Sequence, residues 1–314
     1  MGIDHPDDDN APTVDRDLRQ VGGDSPGFER ERPGEHGLVP EQDSATDLEA
    51  ARAAYIVDFP AKVGAAYRAV WDEAVPALQA ARSEHEARYP LPERSRPTQG
   101  EDGSWHAEGR LDLDPGQNAE VTKKYAEIRE QAQDEILPAM RRVEAADSER
   151  QLAGLEHWLK GEDRLKEKIA AYLRAPGVTV AQAFEMVPDA VRFTFVHSHE
   201  RYAEGVRADV DWLKAEGFEQ VKLKKLWTGD QYKGINTQWS SPETGLRFEV
   251  QFHTSESLEA KELTHWAYER LRLLDSRITP AERDDLETYQ RRVNSLIATP
   301  PGIDVIDEAQ ENER

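Results

Sequence analysis

From Thr46 onward, apolar residues return every three or four positions: Leu48, Ala51, Tyr55, Phe59, Val63, Tyr67, Val70 and Trp71. That spacing places them on one stripe of a helix. Pro60 falls inside the stripe and removes a backbone donor, so it is expected to kink or split the helix. From Tyr89 to Gly116 the pattern dissolves into Pro, Gly, Ser and Asp, which predicts a long loop. Trp105 and the alternating pair Leu111 and Leu113 would make a short ribbon within it. Helical spacing resumes from about Ala119 to Ala146 through Tyr125, Ile128, Ile136, Met140 and Val143. Residues 46–149 thus read as a helical scaffold with a loop near 89–117, packed against the C-terminal half of the chain.

Beyond Leu152 the texture changes. A helix-rich piece ends at Ala175-Pro176-Gly177, a strong stop signal. β-branched and aromatic residues then predict strands at Ala190–His197, Gln220–Trp227, Gly234–Ser240 and Leu246–His253. A helix over Glu200–Glu216 separates the first two, and Pro242-Glu243-Thr244-Gly245 turns between the last two. A helix from Glu256 to about Leu274 comes next, and Thr279-Pro280-Ala281-Glu282 caps the start of another. The implied fold is α/β (α+β), a mixed sheet flanked by helices over residues 150–299, with an acidic tail at 300–314.

Charge changes the picture of the ends. The formal net charge is −22 over 314 residues, and residues 1–45 are rich in Asp, Glu, Gly and Pro. Such a stretch does not bury enough apolar surface to offset its ordering entropy, so it is expected to lack regular structure. An acidic surface repels DNA and RNA, so any nucleotide site must be a local basic patch. The absence of cysteine rules out disulfides, zinc–thiolate sites and thiol nucleophiles. No apolar run reaches the length of a membrane span, and the N-terminus lacks a signal-peptide pattern, so a cytoplasmic location is expected, in the producing or a target cell.

The strand at Leu246–His253 is the most informative segment. Leu246, Phe248, Val250 and Phe252 fall on one face; Arg247, Glu249, Gln251 and His253 fall on the other. The next helix carries Lys261, His265, Tyr268 and Arg272 on one stripe, with Leu263, Trp266, Ala267 and Leu274 opposite. A polar strand face beside that stripe makes a cleft wall or an ordinary solvated surface, and pattern alone weighs the two equally. Lys160, Arg164 and Lys168 form a basic run suited to polyphosphate or to surface ion pairs. For Lys222 and Lys224, on alternate positions of one strand, protection of a sheet edge is the favoured reading. There is no Walker A loop, Rossmann glycine fingerprint or His-Glu-x-x-His motif.

Four segments in order resemble the motifs of RelA/SpoT-type synthetases: Asp189-Ala190-Val191-Arg192, Tyr232-Lys233-Gly234-Ile235-Asn236, Phe248-Glu249-Val250-Gln251-Phe252-His253-Thr254 and His265-Trp266-Ala267-Tyr268. Thr254 to His265 has the family's spacing of eleven, and Lys160 and Lys168 match its two lysines eight apart. The Phe-His-Thr variant, with Lys261 before His265, is most similar to a toxin-associated branch.

That resemblance implies a nucleotidyltransferase-like fold and a pyrophosphokinase that moves the β,γ-diphosphate of ATP onto the 3′-hydroxyl of a purine nucleotide. It implies Lys160, Arg164, Lys168 and Arg192 on ATP, and Asp189 and Glu249 on Mg²⁺, with Glu249 also the base. It implies Tyr232 stacked on the acceptor base, with Lys225, Asn236, Gln251, His253, Lys261 and His265 lining the acceptor side. The acceptor is GDP, GTP or an adenosine nucleotide. A tRNA 3′ end, and an antitoxin or immunity protein, stay open as further partners; DNA and membranes are not expected. The chain departs from the pattern at Trp158, Arg164, Gln231 and Asn236, and Val187 stands where the family has its first metal Asp. Those departures leave a second reading, a catalytically silent interaction module of the same fold.

Overall fold

A computed structural model describes residues 45–93, 95–272 and 278–306, with side chains from Gly64 onward. The expectation for the N-terminal tail, and Leu274, lie outside the described residues. The chain divides into two compact units, Met1–Val63 and Gly64–Arg314. The first contributes the opening turns of helix α1 (Ala45–Arg88), which runs through Pro60 as one element. The second unit carries the sheets and the other helices. In its part of α1, Trp71 and Leu78 are buried, whereas Val70, expected on the same stripe, is 60% exposed.

The expected loop contains a small antiparallel sheet, β1 (Thr98–Gln99), β2 (Trp105–Ala107) and β3 (Leu111–Leu113). The second long helix is interrupted. It comprises α2 (Pro115–Gln131), one π turn (Ala132–Ile136) and α3 (Leu137–Ala145). Pro138 has no N–H to donate and its ring crowds the preceding turn, and the wider π turn just before it relieves both. Ile136, Met140 and Val143 are fully buried along this helix.

The five-stranded sheet has the order β4-β5-β8-β7-β6. Its strands are β4 (Gln151–Ala153), β5 (Arg192–His197), β6 (Glu219–Lys225), β7 (Ile235–Ser240) and β8 (Arg247–Thr254). β5 and β8 are parallel; the other pairs are antiparallel. This is the mixed α/β architecture that the strand pattern predicts. β4 is too short to show period-two alternation. Helices α4 (Glu162–Tyr172), α5 (Val180–Glu185), α6 (Tyr202–Ala215), α7 (Ser255–Leu271) and α8 (Pro280–Ser295) surround the sheet. α5 has a sequence signal in its capping box, Thr179 with Gln182.

Register decides which side chains share a face. Phe193, Phe195, Trp239, Phe248, Val250 and Phe252 lie on one side and are almost fully buried. α6 covers that side: Tyr202 Oη donates to the Phe252 carbonyl at 2.7 Å. Gly205 lets α6 settle against His197, since a Cβ there would stand 2.4 Å from the ring. The segment expected to open an acidic tail instead packs as far as it is described, with Ile303 and Ile306 buried beside a short 3-10 turn. Its isoleucines outweigh the acidic residues around them.

Candidate active site

The other side of the sheet is polar and forms two rows across four strands. One row is Arg192, Glu249, Gln238 and Lys222; the next is Thr194, Gln251, Asn236 and Lys224. β8 is central, so Glu249, Gln251 and His253 are buried although they are polar. The sequence left a solvated face and a cleft wall equally weighted, and burial of these three argues against the solvated face.

Lys160 is placed by backbone pairing. Leu159 bridges Val191, Lys160 N–H donates to the Ala190 carbonyl, and Arg192 N–H donates to the Trp158 carbonyl. Lys168 comes from α4, and Asp189 from a 3-10 turn, Pro188–Ala190, at the entrance to β5. Asp189 then receives three cations: Lys160 Nζ at 2.8 Å, Lys168 Nζ at 2.9 Å and Arg192 Nη2 at 3.0 Å. Val187, five residues before Arg192, is buried in the core. Arg192 also donates from Nε to Glu249 at 2.5 Å, so one guanidinium bridges both carboxylates. Burial lowers the pKa of the Lys160 ammonium despite the pull of Asp189.

On the adjoining side, Lys261 Nζ donates to Gln251 Oε1 at 2.6 Å. An ammonium only donates, so this contact assigns the amide oxygen of Gln251 to Lys261. Burial, with the like charge of Arg192, pushes the Lys261 pKa down to about 8. Tyr232 Oη donates to Asn236 Oδ1 at 2.8 Å and lies 2.9 Å from His253 Nε2. His253 Nδ1 lies 2.9 Å from Ser257 Oγ. Burial holds the pKa of His253 well below its ordinary value, so the ring is neutral. Burial and Glu249 raise that of Tyr232, so the phenol keeps its proton. The tautomer with its proton on Nε2 allows one relay: Ser257 Oγ–H to Nδ1, Nε2–H to Tyr232, and Tyr232 to Asn236. Gly234 permits the close approach, since a Cβ there would lie 3.0 Å from His253 Cε1. Ser257 had a signal in the sequence, because it closes the capping box of Thr254 that starts α7.

His265 and Arg164 are brought together at a neighbouring cleft of about 500 Å³, with Arg82, Glu86, Leu91, Glu262, Trp266 and Glu269. Arg164 pairs with Glu167 at 2.9 Å and faces Glu269 at 3.6 Å. Burial, opposed by Glu269, lowers the pKa of His265, and the charges of Lys261 and Arg192 act in the same direction as burial.

Lys225 is a correction. It pairs with Ile235 on β7, which puts it on the apolar side, and its Nζ donates to the Ile306 carbonyl at 2.9 Å. Adjacent strand residues point to opposite faces, so the lysines of β6 on the polar side are Lys222 and Lys224. Both sit on an edge strand and also extend the polar rows, a combination that sequence alternation alone does not reveal.

The poise of Lys261 leads to a stability prediction. Its folded pKa of about 8 lies below the ordinary 10.5. Between those values the unfolded chain binds the extra proton, so stability rises with pH there. Compared with Lys261→Met, wild type should gain stability from about pH 8 to 10.5. Parallel denaturant titrations across that window check this, and identical pH profiles would contradict it.

No protein-family model matches the chain, and no curated protein matches it. Among solved structures it is similar to small alarmone synthetase 1 from Bacillus subtilis, with 12% identity over 55% of this chain and 91% of that one, at a TM-score of 0.39. It is also similar to a GTP pyrophosphokinase family protein from Streptococcus pneumoniae, with 14% identity over 56% and 85%, at a TM-score of 0.35. A third is smu.1046c from Streptococcus mutans UA159, with 13% identity over 56% and 88%, at a TM-score of 0.35.

Proposed function

We propose that this chain is an ATP-dependent pyrophosphokinase acting on the ribose 3′-hydroxyl of a purine nucleotide. The observation that carries the reading is the convergence of Lys160, Lys168 and Arg192 on Asp189 and Glu249. Those residues come from three separate motifs of the sequence resemblance and meet on one sheet face. Transfer of a phosphoryl-type group depends on charge neutralisation and placement more than on covalent chemistry, and this cluster offers both.

In the reaction, the 3′-oxygen attacks the β-phosphorus of ATP. The bond from that phosphorus to the α,β-bridging oxygen breaks, AMP leaves, and the hydroxyl proton passes to Glu249. Lys160 and Lys168 hold the polyphosphate. Tyr232, fixed at its hydroxyl by Asn236 and His253, offers its ring as a stacking platform. A stacked base contributes ~1–3 kcal/mol, enough to retain an acceptor without choosing sharply among purines.

Asp189 and Glu249 suit Mg²⁺. They are hard oxygen donors, and a single cationic group, the Arg192 guanidinium, already touches both. Among the described residues no third acidic or histidine ligand joins them, so the rest of the shell would have to come from phosphate oxygens. When bound there, Mg²⁺ supplies charge neutralisation and polarises the phosphoryl oxygens.

The finer reading is an alarmone synthetase or growth-arresting toxin, with GDP, GTP or an adenosine nucleotide as acceptor. Purified protein with ATP, Mg²⁺ and a panel of purine nucleotides and deacylated tRNA tests it. Acceptor-dependent AMP release is expected with a nucleotide. Release with tRNA alone would move the acceptor to RNA, and no release with any acceptor would favour the silent module.

A further inference from the structure

We infer that Arg192 closes the metal site of the free protein, and that the site opens to a divalent cation only when a polyphosphate has engaged the neighbouring cations. The inference rests on the pyrophosphokinase reading and adds an order of binding to it.

The two carboxylates that suit the ion are both occupied. Arg192 reaches Glu249 through Nε at 2.5 Å and Asp189 through Nη2 at 3.0 Å. Asp189 further accepts from Lys160 at 2.8 Å and from Lys168 at 2.9 and 3.1 Å. The bridge is built into the fold, because Arg192 and Glu249 are direct partners across the parallel pair β5–β8. A guanidinium suits such a site better than an ammonium, since its planar fork can serve two carboxylates at once.

Competition for the two carboxylates gives the order. Lys160, Lys168 and Arg192 all hold Asp189, and Arg192 holds Glu249 as well. A divalent cation entering alone would have to displace a paired guanidinium and two paired ammonium groups. A polyphosphate changes this. Its oxygens accept from the lysines and the guanidinium, and Asp189 and Glu249 are released to bind metal. The ion therefore enters with the nucleotide or after it, never before.

The test is Mn²⁺ binding followed by electron paramagnetic resonance of the free ion, on the full chain and without nucleotide. Wild type should leave the free-ion signal unchanged. Arg192→Gln should bind Mn²⁺ under the same conditions, with its melting temperature raised by the ion. Arg192→Gln combined with Glu249→Gln should lose that binding. A second arm measures an α,β-methylene ATP analogue by calorimetry. In EDTA it should bind wild type, and Mn²⁺ should then be held more tightly by the protein–analogue complex than by the analogue alone. Mn²⁺ binding to nucleotide-free wild type overturns the inference, and that arm stands even where Arg192→Gln fails to fold. Failure of the analogue to bind, with wild type still refusing Mn²⁺, would instead count against the pyrophosphokinase reading.

Discussion

Glu249→Gln should retain the fold and lose AMP release by ~10²–10⁴-fold through the missing base alone. Weakened metal binding would deepen the loss. Glu249 lies mid-strand on β8, the central strand, and its carboxylate is within 2.5 Å of the Arg192 guanidinium. The amide keeps an oxygen for that contact, so the site keeps its shape while losing its charge and its proton acceptor. Arg192 also retains Asp189 at 3.0 Å, so it is not stranded. The melting temperature should therefore move little. Measuring AMP release at saturating Mg²⁺ beside a thermal melt separates the two effects. A well-folded Glu249→Gln protein with wild-type turnover would remove Glu249 from the chemistry.

The second large effect concerns stability and lies on the opposite side of the sheet. Arg150 and Asp209 form an ion pair at 2.5 Å with side chains 1% and 0% exposed. His197 Nε2 approaches the other oxygen of Asp209 at 2.8 Å. Arg150 also donates to the Val143 carbonyl, tying α3 to α6 through the pair. Burial pushes the Asp209 carboxyl up, and His197 and Arg150 pull it back. Removing Arg150 leaves the buried Asp209 with His197 alone, and breaking such a buried pair typically costs ~3–5 kcal/mol. Arg150→Met should accordingly lower the melting temperature by roughly 10 °C, at ~2–4 °C per kcal/mol for a unit of this size. Arg150→Met with Asp209→Leu should recover much of the loss, because two apolar side chains need no counter-charge. A neutral Arg150→Met variant would mean that water reaches the pair in solution.

The two effects show what the sequence made legible. The alternation of β8 identified Glu249, Gln251 and His253 as one face, because a central strand buried on both sides still alternates polar with apolar. Lys160 and Lys168 were visible as a basic run open to either reading, and only the fold, through α4 and the β5 entrance, shows both at Asp189. The Arg150–Asp209 pair had no such signal. Its members lie 59 positions apart on elements that look like ordinary charged surface. Lys225 failed for the opposite reason: a cluster of lysines gives composition, whereas the pairing of β6 with β7 decides which of them lies on the polar side. The Tyr232–His253–Ser257 relay lay between these cases. Each residue was visible, but only the turn of the chain at Gly234 brings the phenol against the imidazole.

Product analysis reports on the diphosphate transfer itself. The 314-residue protein is incubated with ATP, Mg²⁺ and GDP, GTP or an adenosine nucleotide, and the products are followed by phosphorus NMR with mass spectrometry. One AMP should appear for each acceptor that gains a diphosphate on its 3′-oxygen, and neither should form with a 3′-deoxy acceptor. ATP consumed to ADP and phosphate, or left intact with every acceptor while the protein remains folded, would contradict the account.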